Sequence, residues 1–219
     1  MNKKEIITTN KKHWDAIAIK NKVKKKRELS NIIRDPDAFL QRVESHLFPY
    51  LKDIEGKRVL VLQFGDAHVL FACALKGAEV TGVDFSSEYI QLAREAAKIC
   101  KVNVTLVEAD CQALPETIPD SSFDYAVPEC GIFIWIANLN AWMSNAHLKL
   151  KKGGTLLVQD FHPLSIITKD FRVKLNDGII TLRKSYLDQT PELYLSEDDL
   201  PPAVQYNWKI SDVINAQLM

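Results

Sequence analysis

Apolar positions in this chain come in short solid runs separated by stretches of helical periodicity. Arg58-Val59-Leu60-Val61-Leu62 is such a run, bounded by Gly56 and Gly65. A run apolar on both faces predicts a central parallel strand covered by helices above and below. A turn at 63–66 leads into a helical stretch at 68–76, ended by Gly77 as a left-handed cap. The pattern then repeats. A strand at 79–84 feeds a helix with Ser86 as N-cap and Glu88 in its first turn, where the helix dipole favours an acid. Ile90, Ala93, Ala97 and Cys100 line its inner face. Further strands are predicted at 102–107 and 123–127, the latter stopped by Pro128. Leu139, Trp142, Met143, Ala146 and Leu150 mark another helix, and Gly153-Gly154 is read as a turn into a fifth strand at 155–161. Strands alternating with helices imply right-handed βαβ units, hence a doubly wound, Rossmann-like α/β fold with a parallel sheet and helices on both faces. Its ligand is expected beyond the carboxyl ends of the strands, where the strand order reverses.

The flanks read differently. Residues 1–34 form a basic amino-terminal segment, 35–163 the α/β core, and 164–219 a lid. Asp35-Pro36 opens a helix, with Phe39, Val43, Leu47 and Tyr50 as one apolar stripe. In the lid, Asn176-Asp177-Gly178 between apolar runs at 171–175 and 179–184 is a hairpin signal. Residues 185–202 carry five acids, three prolines and no base, as an exposed loop would. Ser211-Asp212 opens a terminal helix.

Composition narrows the class. With 219 residues, 47% hydrophobic and 26% charged, the chain is ordinary for a soluble domain that builds its own core. The four cysteines (Cys73, Cys100, Cys111, Cys130) show no C-x-x-C spacing, so no metal site is expected and they read as lone thiols in a reducing compartment. No signal-peptide pattern and no membrane-length apolar run appear, so a cytoplasmic protein is expected. The neutral total hides an asymmetry. Residues 1–27 hold ten Lys/Arg against Glu5 and Asp15, a net +8 balanced by −8 in the remainder. Like charges so crowded predict a solvated, partly mobile arm. Without interleaved aromatics for base stacking, nucleic acid is not the expected partner.

The chemistry starts at Asp84. It ends the second strand 19 residues after Gly65 in the first turn, the spacing at which a carboxylate accepts hydrogen bonds from both hydroxyls of an adenosine ribose. Dinucleotides and S-adenosylmethionine both fit such a site. A pyrophosphate, however, needs close backbone approach at three glycines. The turn Gln63-Phe64-Gly65-Asp66-Ala67-His68 has one, which disfavours the dinucleotide.

The stretches VLVLQFGDAHVLFACALKGAEVTGVDFSSEYIQLARE, VEADCQALP, SSFDYAVPECGIFIWIANLNAWMSNAHLKLKKGGTLLVQDFHPL and, more faintly, NKKHWDAIA occur in this order. Over 59–163 the chain resembles the class I S-adenosylmethionine-dependent methyltransferases, especially the small-molecule group related to ubiquinone-biosynthesis enzymes. The resemblance implies S-adenosylmethionine as cofactor and S-adenosylhomocysteine as product. It places Gly65, with Gln63 and Phe64 beside it in the turn, under the cofactor's methionine part. It puts Asp84 on the ribose, Phe85 against the adenine, Asp110 on the adenine amino group and the Cys111 amide on the ring. Glu129 and Cys130 match positions flanking the methyl-transfer face, and Trp14 an aromatic of a closing amino-terminal segment. His162, just past the fifth strand, is the candidate general base, should the acceptor need one.

Three departures stand out. Val61 replaces an acid usual in the family, and Gln63 and Ala67 replace glycines. The resemblance also stops at the terminal helix, where the family has two further strands. That predicts a truncated member whose fifth strand is a sheet edge, protected by a homodimer. The altered turn predicts weakened cofactor binding, or a reshaped turn in which Gln63 itself bonds the methionine end. The sequence therefore reads as a small-molecule methyltransferase. Its alternatives are a methyltransferase-like binding or scaffold protein without catalysis and, third, a nucleic-acid methyltransferase using the basic arm.

Overall fold

The computed structural model describes residues 1–168, 181–196 and 199–218, and for 23–27 the backbone alone. β1 (Arg58–Leu62), β2 (Glu79–Asp84), β3 (Val104–Glu108), β4 (Phe123–Pro128) and β5 (Leu150–Leu156) make one parallel sheet in the order β3-β2-β1-β4-β5. The doubly wound arrangement expected from the alternating pattern is therefore the one formed. Alternate residues of β1 explain it. Val59 and Val61 face Leu70 and Phe71 of α5 (His68–Leu75) and Ile90 and Ala93 of α6 (Ser87–Cys100). Leu60 and Leu62 face Trp142 and Met143 of α7 (Leu139–Lys149) and Val213 and Ala216 of α9 (Ile210–Gln217). All four of these β1 side chains are fully buried, each contributing about 1.5–3 kcal/mol.

Caps fall where the sequence puts them. Ser86 Oγ accepts from Tyr89 N–H at 3.2 Å at the start of α6. Asp35 Oδ1 accepts from Ala38 N–H at 2.9 Å at the start of α3 (Pro36–Val43). The single stripe expected from Phe39 to Tyr50 is instead broken. α3 stops at Glu44 and a short α4 (Phe48–Leu51) begins anew with Pro49 in its first turn, where a proline is tolerated. Phe39 and Leu47 are buried, but Tyr50 is left exposed.

The basic segment also differs from expectation. It forms two helices, α1 (Lys3–Lys20) and α2 (Lys22–Arg34), and α1 packs on α6. Its described charges find partners distant in sequence: Lys11 Nζ lies 2.8 Å from Glu108 Oε1, and Lys22 Nζ 3.4 Å from Glu95 Oε2. Those acids belong to the −8 remainder, and local charge density alone does not reveal them.

The fifth strand starts earlier than predicted. Gly153-Gly154 is not a turn but lies inside β5, at the register irregularity against β4. There Gly153 takes φ +79°, and a Cβ on Gly154 would come within 2.9 Å of Phe123 O. This is a bulge that only glycine fits. Beyond the strand Leu157 N–H still reaches Ala126 O at 2.9 Å. Among the described residues β5 pairs only with β4. The hairpin turn expected at 176–178 lies outside the described residues. Within 185–202, expected as loop, β6 (Glu192–Tyr194) pairs antiparallel with β7 (Ala203–Gln205). No described helix is long and apolar enough to cross a membrane.

Candidate functional site

The strand order reverses between β1 and β4, and a cavity of about 600 Å³ opens beyond their carboxyl ends. That is where a doubly wound sheet places its ligand. Its floor is the β1–α5 turn. Gln63, Gly65 and Ala67 all take positive φ, at 49°, 44° and 60°. The turn thus keeps a backbone suited to three glycines although two carry side chains. Gln63 lines the cavity, and its Oε1 accepts from the indole N–H of the fully buried Trp142 at 2.7 Å.

This geometry predicts the outcome of Gln63→Gly. Restoring glycine relieves about 1 kcal/mol of left-handed strain. It also strips the partner from a buried indole N–H, costing about 1–3 kcal/mol, and loosens the unfolded chain. The substitution is expected to lower stability by about 1 kcal/mol, or roughly 2–4 °C in melting temperature for a chain of this size. In a Trp142→Phe background that loss should vanish. A higher melting point for Gln63→Gly alone would contradict the bond's role.

Above the turn stands Asp84, 4% exposed. Its Oδ2 accepts from Gly65 N–H at 3.1 Å and its Oδ1 from Ser86 N–H at 2.9 Å. The carboxylate is thus locked by the two turns it joins, and it lines the cavity. Asp110 follows β3 in the same wall, its Oδ1 accepting from Gln112 N–H at 2.9 Å. Phe85 and Cys111 line the cavity between these acids. On the far side Glu129 follows β4, its Oε1 accepting from Val69 N–H at 3.2 Å at the start of α5, with Cys130 beside it. Burial, with Glu44 and Asp66 nearby, pushes the Glu129 carboxyl up to about 8.

α1 roofs the site. Lys11 Nζ donates to Phe85 O at 2.6 Å, and Asp15 Oδ1 accepts from Ser86 Oγ at 2.5 Å, so one helix grips both sides of the β2–α6 turn. Trp14 lines the cavity beneath and packs edge-on against Trp135, with ring centroids 5.3 Å apart. His13 and Tyr194 join the same aromatic group. Ile6, Ile7, Ile17, Ile136 and Tyr206 extend this apolar half.

The structure thus brings Trp14, Gln63, Gly65, Asp84 and Phe85 together with Asp110, Cys111, Glu129 and Cys130 around one cavity. Two candidates are not among the residues lining it. The Phe64 side chain is fully buried and turns into the core beside Gly82. His162 is exposed and caps the short α8 (Pro163–Ile167), its Nδ1 accepting from Leu164 N–H at 3.2 Å. Its neighbour Asp160 matters more to the wall. Its carboxylate accepts from the N–H groups of Gly131, Ile132 and Phe133 at 2.9, 3.0 and 2.8 Å, fixing the loop after β4. Sequence reasoning misses Trp135 and Asp160 because one sits in an apolar run and the other is an acid without a local partner. Asp66, which also lines the cavity, gives no stronger signal, since an acid in a turn is ordinary.

The four cysteines are free, and burial pushes their thiols up, to about 12 for Cys73 and about 11 for Cys100 and Cys130. No thiolate nucleophile is available near neutrality. His68 Nε2 lies 2.8 Å from Glu28 Oε2, with Asp66 close by. That contact joins α2 to α5.

The ligand must match this lining. Asp66, Asp84, Asp110 and Glu129 face the cavity, and Lys3, exposed at the first turn of α1, is the lone Lys or Arg among the described residues around it. A pyrophosphate finds four acids and a single exposed lysine here, a lining that suits a cationic ligand better. Comparison with known proteins agrees. Residues 59–154 match the methyltransferase domain family. A demethylmenaquinone methyltransferase of Thermus thermophilus is 34% identical over 109 residues, 49% of this chain and 48% of that protein. One from Tropheryma whipplei is 31% identical over 157 residues, 66% of this chain and 63% of the other. The chain spans about half to two thirds of these relatives. A solved S-adenosylmethionine-dependent methyltransferase from Mesorhizobium loti shares the fold, with a TM-score of 0.63 at 22% identity and 78% of each chain covered. The sheet order is that of the class I S-adenosylmethionine-dependent methyltransferase fold, and residues 59–154 match the methyltransferase domain family, so over this stretch the chain is similar to those enzymes.

Proposed function

We propose that the protein transfers a methyl group from S-adenosylmethionine to a small, largely apolar acceptor. The observation that carries this reading is the cavity's division. Its β2–β3 and β1–β4 walls are acidic, and its roof is apolar and aromatic. The acidic walls suit a cationic adenosyl ligand. Asp84 holds the ribose, Asp110 the adenine edge, and Gly65 leaves room for the backbone to approach the methionine part. When bound, S-adenosylmethionine supplies an electrophilic methyl on a sulfonium, which a nucleophile displaces in line. The chain's task is alignment and exclusion of water. Trp14 and Trp135 close the acceptor side, while Lys11 and Asp15 hold α1 down over it. The Thermus and Tropheryma relatives act on a demethylmenaquinone, and an acceptor with an apolar ring system fits the aromatic roof.

A binding or scaffold role without catalysis is the rival reading, and the two separate in one titration series. S-adenosylhomocysteine at about a hundred times its Kd should stabilise the fold by about 2.7 kcal/mol. That corresponds to a rise of roughly 5–10 °C in melting temperature, with NADH giving none. Binding without methyl transfer to any of a panel of phenols, quinols, thiols and amines favours the scaffold. No shift with S-adenosylhomocysteine at millimolar concentration defeats the methyltransferase reading and leaves the scaffold.

A further inference from the structure

Glu129 is chemically out of place for a group that merely lines a wall. It follows the last residue of β4, and its own N–H reaches Leu62 O at 3.3 Å, so its backbone is held by the neighbouring strand. Its side chain turns toward the first residues of α5, where Val69 N–H donates to it. β1 offers no charge on this side: Val61 is fully buried and Leu62 ends the strand. The titratable groups around Glu129 are Glu44 from the end of α3, Asp66 and His68 from the β1–α5 turn and helix, Cys73 from α5, Tyr89 from α6, and its neighbour Cys130. Two of these are acids, and none is a lysine or arginine. Among the described residues no lysine or arginine faces this carboxyl, and the open cavity beside it is the direction from which a cation can come.

We propose that Glu129 is the anionic anchor for the amino group of the methyl donor, reaching it from β4 at the β1–α5 turn. This assignment rests on the donor reading and adds to it a residue and a consequence. Asp84 and Asp110 grip the nucleoside end from β2 and β3. Glu129 and Asp66 face the amino-acid end from the opposite wall, so the donor is held at both ends by charge. Burial among acids keeps Glu129 protonated before the donor arrives, since its carboxyl sits near 8. An ammonium at hydrogen-bond distance reverses this and drives the proton off. Binding therefore releases close to one proton at neutral pH. The sign follows directly. The free protein holds the proton more tightly than the complex, so affinity strengthens as pH rises toward about 8, by about tenfold per pH unit at most.

Two ligands isolate the role. S-adenosylhomocysteine carries the amino-acid end, and 5′-methylthioadenosine lacks it. Both lack the sulfonium, so only the end facing Glu129 differs. Calorimetry near pH 7 should show a binding heat for S-adenosylhomocysteine that is more exothermic in Tris than in phosphate by about one proton's worth. For 5′-methylthioadenosine there should be no buffer dependence. Glu129→Gln, which keeps shape and loses charge, should weaken S-adenosylhomocysteine about 10- to 100-fold. It should change 5′-methylthioadenosine by less than about twofold and abolish the proton release. Wild-type binding without proton release, or equal weakening of both ligands in the variant, overturns the anchor and leaves the donor reading standing. Failure of both ligands to bind wild-type protein overturns the donor reading and the anchor with it.

Discussion

Asp84→Asn is expected to cut affinity for S-adenosylhomocysteine by about 100-fold or more while leaving a folded protein. The wild-type carboxylate spends one oxygen on Gly65 N–H and the other on Ser86 N–H. Asp84 lines the cavity, and on the proposed reading a bound ribose would present two hydroxyl donors to it. Hydrogen bonds to a charged acceptor contribute about 1.5–3 kcal/mol each against about 1 for neutral pairs. Losing the charge at two hydroxyls thus approaches 3 kcal/mol, which is about 100-fold in Kd. Asparagine adds a second penalty. Whichever way its amide lies, its NH₂ meets a backbone N–H from Gly65 or Ser86, donor against donor. One turn must then shift, lowering stability by about 1–2 kcal/mol, a cost far short of unfolding a domain of this size. Calorimetric titration and thermal melting separate the two effects. If Asp84→Asn bound S-adenosylhomocysteine within threefold of wild type, Asp84 would not be a ribose ligand.

Much of this site is legible in the sequence because it depends on local rules. β1 betrays itself by four consecutive buried apolar residues, and α6 by the Ser86 cap. The distance from Gly65 to Asp84 is set by one helix and one strand. What fails to show depends on partners far along the chain. Lys11 reads as one more charge in a basic arm until Glu108, 97 residues on, is folded against it. Gly153-Gly154 carries the composition of a turn, but the neighbouring β4 uses it as a bulge. His162 sits at the correct end of the sheet by count, yet the chain leaves β5 before it, and Asp160 takes the structural role. Phe64 stands beside Gly65 in the turn, and only the space above Gly82 decides that its ring goes down into the core rather than up into the cavity.

That space gives the other large effect. Gly82→Val is expected to destabilise the protein by about 3 kcal/mol or more and to weaken cofactor binding as well. Gly82 lies in mid β2, paired with Val61 on one side and Leu106 on the other. Its backbone is not left-handed, so conformation does not require glycine here. Space does. A Cβ would collide with Leu70 Cδ1 and come within 2.9 Å of Phe64 Cδ1 and 3.2 Å of Leu106 Cδ2. Leu70 and Phe64 are both fully buried and have nowhere to swing. Overfilling a packed core costs about 1–3 kcal/mol, and valine adds two more carbons beyond the first collision. For a chain of this length 3 kcal/mol is roughly 6–12 °C in melting temperature, with Gly82→Ala intermediate. The functional part follows from Phe64. Its ring anchors the turn whose next residue, Gly65, donates to Asp84. Pushing the ring out of its seat shifts that N–H and the carboxylate together. Well below its melting point, Gly82→Val should therefore bind S-adenosylhomocysteine about tenfold more weakly, since a hydrogen bond to a charged group is at stake. Normal melting of the valine variant would show that the core yields at this point. Early melting with undiminished binding would show instead that the turn is held from elsewhere, with Trp142 and its bond to Gln63 the next place to look.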